Sequence, residues 1–326
     1  MERRQLLLTP LLVLLGSRTA GAQTGSGVRR VGVLASSTKE SFGNNIRTFR
    51  DELAALGWVV GRNLTLDARY ASDRYDQLPH LATELLKARV ELIFAMAVPA
   101  IQAAKRATTT IPIVFETLGD AVGTGLVANL ARPGGNVTGV SGFAPQLSSK
   151  RLALLRDLLP GATRIALLSN RANPATSVVI RATEAAAQEL HVQLMIIDVP
   201  QASDLDATFP TMVRERCNAF VLAADPMLFS QRRRIVELAA RYRLPGVYEY
   251  RDFAEYGGLL SYGPEPTERF RRAAVYADRI LRGAQPGDLP VEQPQTFQLV
   301  LNLKTAARLG LTIPPSLRLR ADHVIE

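Results

Sequence analysis

The residue types that usually carry catalysis are scarce in this chain. Its 326 residues include one cysteine, Cys217, and three histidines, His80, His191 and His323. A single thiol excludes an intramolecular disulfide and a cysteine-based zinc site. Cys217 opens an apolar stretch, where it reads as a small buried hydrophobe rather than a nucleophile. There is no G-x-S-x-G elbow, Walker A loop or H-E-x-x-H sequence. The run Gly123-Thr124-Gly125 only approximates a dinucleotide fingerprint. It does not directly follow a strand, and no acidic residue stands about 20 positions on. What the chain offers instead is a dispersed set of polar groups suited to non-covalent recognition. The hydroxyls of Ser36, Ser37 and Ser141 can hold a carboxylate. Asp120 and Asp225 can accept from an ammonium or hydroxyl, and Asn170 and Asn173 can do either. Tyr248 and Tyr262 can stack on an apolar or aromatic group. No catalytic residue, cofactor or metal is expected.

These residues lie at the ends of regular elements. Residues 30–35 read as a buried strand, and 44–56 as a helix with Ile46, Phe49, Leu53 and Leu56 on one face. Strand-like runs follow at 63–70, 91–96 and 111–115, alternating with helical patterns at 75–87 and 99–107. The same order returns with strands at 164–169, 191–199, 218–223 and 245–248 and helices at 174–190, 205–216 and 228–242. Alternating strands and helices predict a parallel sheet covered on both faces. The near-constant offset between the halves predicts two similar doubly wound α/β lobes around a cleft. A single long sheet is the alternative. The first crossing between lobes is expected near 141–143. A hinge is expected at Gly257-Gly258, ahead of a strand at 259–261 and a helix at 268–281.

In parallel α/β sheets a ligand binds beyond the carboxyl ends of the strands, where helix N-termini present free amides. That rule selects Ser36 and Ser37, then Ala97 to Pro99, then residues 116–120, in the first lobe. In the second it selects Asn170, Asn173, Asp225, Tyr248 and Tyr250. Ser141, on the crossing, should face the cleft. Most of these have a structural alternative. Asp120, Ser36, Ser37, Asn173 and Asp225 are all good helix caps, and Tyr262 could pack at the hinge.

The N-terminus has the form of an export signal. Arg3-Arg4 precede an apolar run over 6–15, and Ala20-Gly21-Ala22 offers a cleavage site. The run is too short to span a bilayer. Arg3-Arg4 loosely matches a twin-arginine signal, so either export route stays open. No cysteine stands near the cleavage site, which excludes a lipoprotein and points to the periplasm. The formal net charge is +9, and of 39 cationic side chains only five are lysine. A nucleic-acid partner would need a clustered patch with interleaved aromatics. The clusters Arg232-Arg233-Arg234 and Arg271-Arg272 instead fall in helical patterns as solvated faces, and no nucleic-acid partner is expected.

Several junctions resemble one family. They are Ile111 to Phe115, Gly119-Asp120-Ala121-Val122-Gly123-Thr124-Gly125, Leu130 to Gly139 with its Arg132-Pro133-Gly134-Gly135-Asn136 centre, Gly258 to Pro264, and Leu301 to Leu317. Together they resemble ABC-transporter substrate-binding proteins of the group that includes tryptophan/tyrosine-type binding proteins. The resemblance runs from about residue 29 to the end. It implies the type I periplasmic binding protein fold, a monomer closing on a small organic ligand such as an amino acid or related carboxylate, and delivery to an inner-membrane ABC permease. A sensor module of the same fold and an exported α/β enzyme are the alternatives. The expected division is a signal over 1–22, lobe one over 28–141 plus about 258–285, and lobe two over 142–257 plus about 286–326. This chain carries Glu116 and Leu118 where many relatives have a small residue or a hydrophobe, so its ligand could differ from theirs.

Overall fold

The structure, a computed structural model, describes residues 27–326. The expected signal over 1–22 lies outside them. Five strands form a parallel sheet: β1 (Arg29–Ala35), β2 (Leu64–Tyr70), β3 (Leu92–Met96), β4 (Ile113–Thr117) and β5 (Val137–Ser141), in the order β2-β1-β3-β4-β5. Between them run α1 (Lys39–Ala55), α2 (Leu78–Lys87) and α3 (Ala97–Ala107). The second sheet holds β6 (Arg164–Ser169), β7 (Gln193–Asp198), β8 (Ala219–Leu222), β9 (Gly246–Tyr248), β10 (Leu260–Pro264), β11 (Phe297–Asn302) and β12 (His323–Ile325). Its order is β12-β11-β10-β9-β8-β6-β7, and only the β10–β11 pair is antiparallel. Helices α4 (Ala144–Leu158) to α12 (Pro315–Leu319) follow in chain order. They include α5 (Thr176–Glu189), α6 (Leu205–Arg214), α7 (Pro226–Ser230), α8 (Arg232–Arg241), α9 (Arg251–Glu255), α10 (Pro266–Leu281) and α11 (Leu303–Leu309). No helix among the described residues is long and apolar enough to cross a membrane.

The strands are apolar along both faces, as sheets covered on both sides require. In β1, Val31 and Val33 point into one core with Phe49 and Phe94, while Leu34 joins Ile93 and Leu85 on the other side. In β6, Ile165 and Leu167 pack with α4, whereas Ala166 and Leu168 meet Phe209 and Phe220. Cys217 is buried in that last core, its sulfur 3.8 Å from that of Met195.

The lobes exchange helices. After β5 the chain crosses at 142–143, and α4 packs Leu152 and Leu155 on the second sheet. After β10 it crosses back at Glu265, and α10 packs Phe270, Ala274 and Ala277 against the first sheet. Residues 286–292 stay with the first lobe, where Ser141 N donates to Glu292 O at 2.9 Å. The chain then crosses a third time into β11.

This differs from the expected division at two places. Residues 258–264 were expected in lobe one, yet β10 pairs with β9 and β11 in the second sheet. Residues 286–292 were expected in lobe two, yet they hydrogen-bond β5. The glycines expected as a hinge have a packing role. Gly257, at φ +105°, ends α9 with its N–H on Ala254 O, and a Cβ on Gly258 would stand 2.6 Å from the Tyr248 ring.

Candidate functional site

A cavity enclosing about 850 Å³, open solvent included, lies between the lobes. Its first wall begins at the N-terminus of α1. Thr38 caps that helix by accepting from Ser41 N at 3.2 Å, which sets Glu40, Ser41 and Phe42 on the cleft. Ala97 and Val98 follow from the β3–α3 junction. Ala97 has φ +68°, a left-handed conformation that a residue with a Cβ adopts only under constraint. The end of β4 adds Glu116 and Leu118. The opposite wall is built from Asn173, Asp225, Phe229, Arg232, Tyr250 and Asp252. Ala144 and Pro266, just past the first two crossings, also line it.

Aromatic rings bridge the two walls. Phe42 of the first lobe lies 6.2 Å from Phe229 of the second, and Phe229 meets Tyr250 edge-on at 4.9 Å between ring centres. The Arg232 guanidinium lies 4.6 Å from the centre of the Phe229 ring, a cation–π arrangement.

Charge at the site is concentrated in pairs. Arg269 of α10 is 1% exposed and donates to the Glu116 carboxylate; its Nη2 also reaches the Tyr250 hydroxyl at 3.3 Å. Burial pulls the Arg269 guanidinium down to about 9, still charged at neutral pH. A buried cation of this kind requires its counter-charge, which Glu116 supplies. This cluster spans the hinge, because Arg269 and Glu116 belong to the first lobe and Tyr250 to the second. Among the lining side chains, the carboxylates of Glu40, Glu116, Asp225 and Asp252 face a single guanidinium, Arg232.

Of the residues the strand-end rule selected, Ala97, Val98, residues 116–119, Asn173, Asp225 and Tyr250 line the cavity. Asp225 also gathers two neighbours. Its carboxylate accepts from Asn170 Nδ2 at 3.3 Å, from Asn173 Nδ2 at 3.0 Å, and from the backbone of Met227 and Leu228 at the start of α7. It accepts as well from the Tyr75 hydroxyl of the first lobe, at 3.0 Å. Burial pushes this carboxyl up while the hydrogen bonds oppose the rise. With five donors on it, Asp225 works as a helix cap and inter-lobe contact rather than as a free acceptor.

The other expected residues are engaged elsewhere. Ser36 donates to Met96 O and accepts from Ala100 N, joining β3 to α3, with Ser37 buried beside it. Pro99 is buried on α3. Asp120 caps the turn after it through Val122 N and Gly123 N, at 3.0 and 2.9 Å. Ser141 ties the crossing to Gly119 O and Ala121 N. Tyr248 stacks on Phe253 inside the second lobe, 4.7 Å between centres, and Tyr262 stacks on Phe297. None of these positions lines the cleft cavity.

The residues overlooked are those at the N-terminus of α1, together with Phe229, Arg232 and Asp252. Thr38, followed by Glu40 in the first turn, was a legible start signal for α1. Arg232, expected on a solvated face, lies over an aromatic ring instead.

The fold has close counterparts among known proteins. A solved conserved domain protein from Vibrio cholerae superposes with a TM-score of 0.85 at 25% identity, covering 91% of this chain and 99% of that one. An ABC domain from Streptococcus pneumonia solved in complex with L-Trp gives 0.84, with the same identity and coverage. A tyrosine-binding protein of Clostridioides difficile is 24% identical over 268 residues, 82% of this chain and 75% of the relative. The family of ABC transporter substrate binding proteins matches residues 30–325, and the chain belongs to that family.

Proposed function

We propose that this protein is the periplasmic solute-binding component of an ABC importer, and that it captures a small organic ligand by lobe closure. The observation that carries this reading is the cavity itself. Both lobes contribute to it, and its rings and polar groups come together only when the lobes meet. A ligand that touches both walls favours the closed form by its extra contacts there, which is the whole requirement for a capture mechanism. Release to a permease would follow from reopening. Export to the periplasm rests on the form of residues 1–22, and the monomeric state on the resemblance.

The lining favours a ligand with an aromatic or apolar body and an ammonium group. Phe42, Phe229 and Tyr250 offer ring faces, and with Glu116 paired to Arg269 and Asp225 occupied, Glu40 and Asp252 still outnumber the Arg232 guanidinium. An amino acid with an aromatic side chain meets both conditions, and relatives that bind tyrosine or hold L-Trp support the choice. Arg232 would then take the ligand carboxylate, and Asp252 or Glu40 the ammonium.

The test combines a thermal-shift screen of L-amino acids with small-angle scattering. A true ligand at 100 times its Kd should add about 2.7 kcal/mol of stability and compact the protein. Tight binding with unchanged scattering would overturn capture by closure, and a screen answered only by anionic ligands would overturn the ammonium assignment.

A further inference from the structure

The second lobe holds another cavity at the far end of its sheet. It encloses about 490 Å³, open solvent included, and lies between α8, the start of β9, the Gly257-Gly258 corner and α11. The cleft lies beyond the carboxyl end of β9, at Tyr250 and Asp252, whereas this cavity opens beside Gly246 at its amino end. We propose that it is a second ligand site, for a small amphipathic monocarboxylate.

Three observations carry this. The first is the Tyr248 hydroxyl. Its ring runs back along β9, so that a Cβ on Gly246 would stand 2.6 Å from the hydroxyl oxygen. Tyr248 is 1% exposed and lines the cavity, and no group among the described residues hydrogen-bonds its hydroxyl. The hydroxyl opens onto the cavity with no partner among these residues, so it is free to bond a ligand oxygen. The second is the close packing around the phenol, which holds it fixed at the cavity. Gly246 and Gly258 both press on Tyr248, and the corner is pinned by the Thr305 hydroxyl donating to Gly257 O at 2.8 Å. The remaining lining is mainly apolar, with Leu244, Leu259 and Leu309 along the walls. The third is charge. Arg243 and Arg308 are exposed at the mouth, and neither makes an ion pair among the described residues. Two free guanidiniums over an apolar pocket complement an anionic head on an apolar body.

The test uses octanoate and 1-octanol as probes on the mature chain, with calorimetry for affinity and amide NMR for location. Octanoate should bind and shift Gly246, Gly257 and Thr305 while leaving Ala97 and Gly119 unmoved. The double change Arg243→Ala, Arg308→Ala should weaken octanoate at least tenfold and leave octanol unaffected. Tyr248→Phe should weaken octanoate several-fold. Ala240→Trp, at an exposed position on the rim, should exclude both probes. No binding at millimolar octanoate, shifts confined to the cleft, or octanoate binding unchanged in the double arginine variant would each overturn the proposal.

Discussion

Glu249 shows what a single buried group can impose. It follows β9 and is fully buried, and neither carboxylate oxygen has a hydrogen-bond partner among the described residues. Burial pushes its carboxyl up to about 8, with the nearby Arg151 guanidinium pulling the other way. The unfolded chain releases this proton near 4.5, so between roughly pH 4.5 and 8 the folded state holds more protons than the unfolded one. Stability therefore falls as pH rises across that window, by at most about 1.4 kcal/mol for each pH unit. Glu249→Gln keeps the shape and removes the proton. Its Tm should exceed the parent's at pH 8 and match it at pH 5. An equal offset at both values would mean that Glu249 does not titrate in the folded protein. Residue by residue, the sequence located candidate positions along each strand but not their faces. Successive side chains alternate across a sheet, so the strand-end rule that selected Tyr248 could not tell the cleft from the core. For the capping residues it could not tell a free oxygen from a spent one. Asp120 and Asp225 are both good acceptors, and both are occupied by backbone N–H groups.

At the scale of elements, most of the alternation was legible because buried strands and amphipathic helices have different periods. The start of α1 was overlooked despite its Thr38 cap, because Gly43, Asn44 and Asn45 just inside it are poor helix formers that tertiary packing overrides. Helix α4 and strands β11 and β12 also escaped, since they belong to neither of the two repeated units. The exchange of α4 and α10 between lobes is likewise invisible to periodicity. It depends on the crossings, and these need close backbone approach. In β10, two residues before the second crossing, a Cβ on Gly263 would collide with the Glu249 carbonyl. Gly263→Ala should therefore cost about 1–3 kcal/mol, the usual range for overpacking. Gly161→Ala, where an added Cβ meets nothing within 4 Å, serves as the control and should change stability little. Equal urea midpoints for the two variants would show that the crossing can relax around a methyl group.

For the whole molecule, the proposed capture mechanism makes the balance between open and closed lobes decisive. Few contacts hold the lobes together across the cleft besides the ligand-facing rings and the Arg269–Tyr250 hydrogen bond. The Tyr75 hydroxyl donates to Asp225 and accepts from Met227 N at 3.1 Å, and the Ser230 hydroxyl stands 2.5 Å from the Asp73 carboxylate. Asp73 and Tyr75 belong to the first lobe, Asp225 and Ser230 to the second. A binding protein needs such contacts to be weak. If they closed the cleft alone, ligand could not enter; if they were absent, every ligand would bear the full cost of closure. Net hydrogen bonds of about 0.5–1.5 kcal/mol each fit that requirement. Tyr75→Phe removes both inter-lobe bonds of that hydroxyl and leaves the other four donors on Asp225. The closed state should lose population, and apparent affinity should fall in proportion to that loss, by about two- to tenfold. Scattering of the unliganded variant should show a larger radius of gyration, and that of the saturated variant the parent's value. Weaker binding with unchanged unliganded scattering would instead place Tyr75 in ligand contact, and lobe closure would then rest on the ligand alone.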